Sequence, residues 1–206
     1  MKTYPIMLKL TGQRVVVVGG GAVGTRRAIR LAQAGAEATL VAEEISGDAD
    51  LAALTVLRQP YRRELLAGAF LVLACTDDRA VNSRIAADAR AAGALVNVAD
   101  QPEDCDFFLP ATLTDGDVVV AVGTGGLAPG LAVEIKDRLA AALPQRLGEF
   151  AQAIDRLRRN LRAGDKDPAA RMWIIRKLCE RAGYEAFLAG GAEALETMAR
   201  GLLERP

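Results

Sequence analysis

A chain of 206 residues with 51% hydrophobic and 25% charged content has the makeup of one or two ordinary globular domains, and its 26 basic and 26 acidic residues cancel, so charge makes no case for a nucleic-acid partner. The complete absence of histidine removes Ser-His-Asp and Cys-His triads, H-E-x-x-H zinc sites and histidine proton relays. Three widely spaced cysteines, Cys75, Cys105 and Cys179, make neither a disulfide framework nor a zinc ribbon, and no metal site is expected.

The N-terminal stretch Met1-Lys2-Thr3-Tyr4-Pro5-Ile6 lacks a long apolar run followed by a small-residue cleavage site. No apolar stretch approaches the ~20 residues of a membrane span. A cytoplasmic protein is expected, with no membrane partner. Residues 14–18 contain four consecutive valines and read as a strand buried on both faces. Residues 22–34 read as a helix stopped by Gly35. Strands follow at 37–42, 55–58 and 69–75, then a helix at 79–92 ended by Gly93, then a strand at 94–98. This alternation predicts an α/β fold with a Rossmann-type parallel sheet. Beyond Asp100 the pattern changes. Residues 107–109 and 117–123 read as strands, with Asp115-Gly116 marking a hairpin turn. A helix is expected at 129–143, and helices near 145–162, 168–182 and 192–203 are separated by Ala163-Gly164-Asp165 and by Gly190-Gly191. The expected organisation is a Rossmann nucleotide domain at 1–112, a small α/β section at 113–145 and an α-helical domain at 146–206.

Gly19-Gly20-Gly21-Ala22-Val23-Gly24 fits G-x-G-x-x-G directly after a buried strand and at the opening of a helix. Gly19 serves the tight turn, Gly21 the approach of a pyrophosphate, and Gly24 close helix–strand packing. The amides of Ala22 and Val23 then face the phosphates. Glu43 and Glu44 lie 19 and 20 residues after Gly24, where an acid accepts from the adenine ribose, and this favours NAD over NADP. The bland alternative is a tight turn followed by a solvated loop. Ligands of open α/β sheets sit at the carboxyl ends of strands, where Thr76, Asp77, Asn97 and Asp100 fall. In a chain without histidine, Asp100 is the leading candidate for acid–base work, although an acid after a strand is also a common turn residue. The loop from Gly123 through Thr124, Gly125 and Gly126 to Gly130 suits an anion cradle or a hinge.

An ordered series of motifs carries a family resemblance. It runs Pro5-Ile6-Met7-Leu8-Lys9-Leu10, Val15-Val16-Val17-Val18-Gly19-Gly20-Gly21-Ala22-Val23, Ala74-Cys75-Thr76-Asp77-Asp78 with Val81-Asn82, Val96-Asn97-Val98-Ala99-Asp100, Asp106-Phe107-Phe108-Leu109-Pro110-Ala111 and Thr124-Gly125-Gly126-Leu127-Ala128-Pro129. This series resembles the precorrin-2 dehydrogenase/sirohydrochlorin ferrochelatase family, which includes the N-terminal region of siroheme synthases. The resemblance spans about residues 4–145 and weakens beyond. It implies NAD-dependent oxidation of precorrin-2 to sirohydrochlorin, in many members followed by insertion of Fe²⁺ as a substrate. It also implies a homodimer built on the section after Asp100, with the active site between nucleotide domain and dimerisation region. The family's aspartate maps onto Asp100, and a position phosphorylated in some relatives maps onto Thr124. Asn97, Thr124, Gly125 and Gly126 are the implied tetrapyrrole contacts.

Three departures bear on this reading. Glycine stands at Gly24 where many members have alanine. Val41-Ala42-Glu43 replaces Val-Ala-Pro, so the family does not supply Glu43 as a ribose ligand. Ala128 replaces the usual serine. The resemblance further implies that another chain methylates uroporphyrinogen. Arg26, Arg27, Arg84, Lys136 and Arg138, with Arg156, Arg158, Arg159 and Arg162 on the tail, are candidates for the substrate carboxylates, each with a solvated surface role as the alternative. The rival functions are a non-catalytic NAD-sensing module and a dehydrogenase of a non-tetrapyrrole substrate.

Overall fold

The computed structural model describes residues 3–164 and 167–203. The first compact unit runs to Leu109 and includes Gly125–Leu127. In it β1 (Arg14–Val18), α1 (Ala22–Gln33), β2 (Glu37–Val41), β3 (Thr55–Leu57), β4 (Leu71–Ala74), α2 (Arg79–Ala91) and β5 (Leu95–Val98) follow in order. The sheet is wholly parallel, in the order β3-β2-β1-β4-β5. Its chain order reverses between β1 and β4, the switch point at which open α/β sheets take ligands.

The consecutive valines of β1 are explained by burial on both faces. Val16 and Val18 join Val72, Ala74, Ile85 and Val96 on the α2 side. Val15 and Val17 join Ala28, Leu40, Leu71 and Leu73 on the α1 side. Each strand rises to the same edge. Val18 pairs with Ala74, and Ala74 with Val98, so the segments leaving β1, β4 and β5 emerge side by side.

The second unit holds β6 (Ala111–Asp115), β7 (Val118–Val122), α3 (Pro129–Ala142), α4 (Leu147–Arg162), α5 (Pro168–Leu178) and α6 (Arg181–Leu203). The hairpin turns at Gly116, whose φ of 56° suits glycine. The first hairpin strand lies at Ala111–Asp115 rather than at the expected 107–109. Phe107 instead packs on the α1-side core, and the Asp106 carboxylate accepts the Val96 amide at 3.0 Å, which pins that segment beside β5. The helices enclose Phe150, Leu157, Ile174, Leu178, Phe187 and Leu195, with Phe150 and Tyr184 edge to face at 5.3 Å. The expected break at Gly190-Gly191 is present as a kink inside α6, while α6 begins at Arg181, inside the expected 168–182 helix. Asp165, expected in the α4–α5 connection, lies outside the described residues. The boundary between the units falls at Leu109/Pro110, and residues of the expected 113–145 and 146–206 sections belong almost wholly to one unit. Among the described residues no helix is long and apolar enough to cross a membrane.

Candidate active site at the sheet edge

The glycine loop is shaped by what surrounds it. Gly19 has φ 120°, and a side chain there would meet the Cys75 carbonyl at 2.3 Å. A Cβ on Gly20 would fall 2.0 Å from the Glu44 carbonyl, because the segment after β2 folds back and the Ser46 amide bonds the Gly20 carbonyl at 2.9 Å. A Cβ on Gly24 would lie 2.1 Å from the Gly19 carbonyl, so glycine here permits the close turn-to-helix contact. Gly21 is different: a Cβ there would point into open space. Its Cα side is open.

No side chain caps α1, and its first turn carries no acid. Ala22 and Val23 are exposed. The amides of that turn, at the positive end of the helix dipole, are therefore available to an anion. These features fit the pyrophosphate of a dinucleotide. Glu43 and Glu44 are exposed on the segment that lies against Gly20.

Thr76 leaves β4 beside Gly19 and is held by Asn82, which is 3% exposed. Asn82 Oδ1 accepts from the Thr76 amide at 3.1 Å and from its hydroxyl at 2.7 Å, and Asn82 Nδ2 donates to the Thr76 carbonyl at 2.8 Å. Asp77 is exposed, whereas Asp78 caps α2 through the amides of Ala80 and Val81. Asn82 received no separate role from sequence reasoning. Its signal was its place in a motif, four residues after the cap.

Asp100 stands two residues beyond β5, exposed, with φ 59°. Aspartate is one of the few residues that tolerates this left-handed conformation. Among the described residues nothing hydrogen-bonds or ion-pairs with its carboxylate. The turn beneath it is braced by Cys105, whose sulfur accepts from the Val98 amide at 3.2 Å and donates to the Val98 or Gln101 carbonyl at 3.3 Å.

Asn97, expected as a substrate contact, is buried. It is 5% exposed and its amide is spent inside the protein. Nδ2 donates to the Phe107 carbonyl at 2.8 Å, and Oδ1 accepts from Arg27 Nη1 at 3.2 Å. The same Arg27 nitrogen donates to Cys75 Sγ at 3.3 Å. Burial pushes the Cys75 thiol up; the Arg27 charge opposes this and the Asp100 charge adds to it. Burial likewise raises Cys105.

Several of the other candidate cations have partners of their own. Arg84 sits over the Tyr61 ring at 5.5 Å, Lys136 pairs with Asp137, Arg138 with Glu134, and Arg159 with Asp155. In the glycine-rich loop, Gly126 leaves room for the Phe108 ring, which a Cβ would meet at 3.1 Å, and Gly125 has φ 62°. Thr124 lies in the second unit, where its hydroxyl accepts the Ala128 amide at 3.2 Å and closes the loop before α3. Among the described residues no cluster of three or more acids and thiols suits a metal ion.

Comparison with known proteins is consistent with this geometry. The sequence model of a family described as putative NAD(P)-binding matches residues 6–111. A siroheme synthase of Nitrosococcus oceani is 35% identical over 208 residues, covering 99% of this chain and 44% of that protein. One of Methylococcus capsulatus is 36% identical, covering 95% and 42%. The chain thus spans less than half the length of these curated relatives. The solved structure of SirC, precorrin-2 dehydrogenase, superposes with a TM-score of 0.76 at 26% identity, over 96% of this chain and 100% of that one.

Proposed function

This chain belongs to the family of precorrin-2 dehydrogenases and siroheme synthase N-terminal regions, and we propose that it oxidises precorrin-2 to sirohydrochlorin with NAD. The observation that carries the reading is an exposed, unpartnered Asp100 at the end of β5, on the sheet edge that also bears an open dinucleotide cradle.

Bound NAD supplies the hydride acceptor. The chain's own residues do the rest. The amides of Ala22 and Val23 and the bare backbone of Gly21 hold the pyrophosphate. Glu43 or Glu44 accepts from the adenine ribose. Thr76, fixed by Asn82, limits the cofactor's position beside β4. Asp100 accepts the proton that the tetrapyrrole releases, and its freedom from protein partners leaves both oxygens available. Thr124, Gly125 and Gly126 contact the tetrapyrrole.

Three finer statements belong to the same proposal. The siroheme synthase relatives support Fe²⁺ as a second substrate, with Asp100 as base while pyrrole protons leave. The active form is a homodimer, built on residues 113–145. The protein works in the cytoplasm.

The test supplies precorrin-2 and NAD⁺ anaerobically and follows the absorbance of NADH and sirohydrochlorin. Asp100→Asn is expected to lower turnover roughly 10²- to 10⁴-fold with NAD affinity retained. Full turnover in a folded D100N protein removes Asp100 from the mechanism. NAD binding with no turnover by the unsubstituted chain favours a sensing module, and turnover of a different substrate favours the other dehydrogenase reading.

A further inference from the structure

Arg27 carries a full positive charge in a half-buried place, yet among the described residues it makes no ion pair. Its two acceptors, Cys75 Sγ and Asn97 Oδ1, are neutral. A half-buried guanidinium gives up part of its hydration with no counter-ion in return, so its two hydrogen bonds must offset that cost. The bonds also have a direction. They join the helix behind the glycine loop to the ends of β4 and β5. From Asn97 they continue to the Phe107 carbonyl, and weakly to Cys105 Sγ at 3.5 Å. Cys105 in turn braces the turn that holds Asp100 in its left-handed conformation.

We infer that Arg27 is a positioning residue for Asp100: through Asn97 and Cys105 it sets the acid turn against the dinucleotide cradle, a role that rests on the function proposed above. A supporting shell of this kind holds a reacting group within a few tenths of an ångström, and an error of about 1 Å costs on the order of 100-fold in rate. Arg27 touches no reacting atom in this scheme. Arg27→Lys keeps a donor for these acceptors and is expected to retain most of the function, whereas Arg27→Met removes the donors to both.

The experiment uses the full chain with three substitutions: Arg27→Met, Arg27→Lys and Asn97→Ser. Amide hydrogen exchange is measured over residues 98–101 and over the glycine loop, NAD affinity by titration, and kcat and KM with precorrin-2. For R27M, faster exchange at 98–101, NAD affinity within about threefold of the parent and a fall in kcat of roughly 10- to 100-fold are expected, with R27K recovering most of the loss. N97S should reproduce R27M, and the double variant should be no worse than either single one. Should R27M not fold, N97S is judged by the same criteria. Unchanged exchange at 98–101, or a loss of NAD affinity that matches the loss of rate, overturns the inference. If the parent chain itself does not oxidise precorrin-2, the functional proposal fails, and the exchange result alone decides whether Arg27 sets the turn.

Discussion

Arg27 Nη1 lies 3.2 Å from Asn97 Oδ1, a hydrogen bond that ties α1 to β5 across 70 positions of sequence. In the sequence, Arg27 is one of several candidate cations with a solvated surface role as the alternative, and Asn97 is an expected substrate contact. In the fold they bind each other, whereas the backbone at Gly21 and the carboxylate of Asp100 are exposed.

Gly20 and Gly21 are adjacent and predicted to fail differently. Gly20→Ala forces a Cβ to 2.0 Å from the Glu44 carbonyl, so the loop must move and stability falls. At Gly21 the added methyl meets nothing, and Gly21→Ala is expected to keep the parent's unfolding free energy within about 0.5 kcal/mol. Under the proposed function it occupies the space of the pyrophosphate, and NAD affinity should drop roughly tenfold or more. Urea unfolding and NAD titration of both variants check this. Unaltered NAD affinity in G21A places the dinucleotide elsewhere.

Asn82 satisfies three polar groups of Thr76 from a site 3% exposed. Asn82→Ala is expected to cost about 2 kcal/mol, since it strands a backbone amide and carbonyl. NAD affinity should weaken as well. A cost below about 0.5 kcal/mol in urea titration means water replaces the side chain without penalty.

Burial, followed by a hydrogen bond to Asp88 at 2.8 Å, raises the Tyr61 phenol above its ordinary value of 10.0. The folded chain therefore holds this proton more tightly than the unfolded chain. The contribution is present in full below pH 10 and is lost as pH rises beyond it. Unfolding free energies measured from about pH 8 to about pH 11 should fall more steeply for the parent than for Tyr61→Phe. Identical slopes would show that Tyr61 ionises alike in both states.

Gly183 lies in the first turn of α6 with its Cα against the end of α5: a Cβ would lie 1.9 Å from the Leu178 carbonyl. Gly183→Ala should destabilise the helical unit by roughly 1–3 kcal/mol, the usual cost of overpacking. NAD affinity, carried by residues of the other unit, should be unchanged in the folded fraction. Thermal unfolding and NAD titration measure the two effects separately.

The parallel sheet, the glycine cradle and the position of Asp100 were legible in order along the chain, because each rests on local rules. Four valines need two covered faces, glycines permit a turn, and an aspartate tolerates φ 59°. The first hairpin strand was misplaced because Phe107-Phe108-Leu109 has strand composition. A tertiary bond from Asp106 to the Val96 amide assigns that segment to the edge of β5 instead.

Sequence by itself determined a dinucleotide fold without histidine, which leaves any proton transfer to carboxylates, lysine, tyrosine, thiol or water. Tertiary structure alone decided which polar residues are free to act. Hydrogen-bond partners such as Arg27 and Asn97, or Asn82 and Thr76, are chosen by proximity after folding. Most buried donors and acceptors find one, as Asn97 and Asn82 do, whereas the exposed Asp100 carboxylate has none among the described residues.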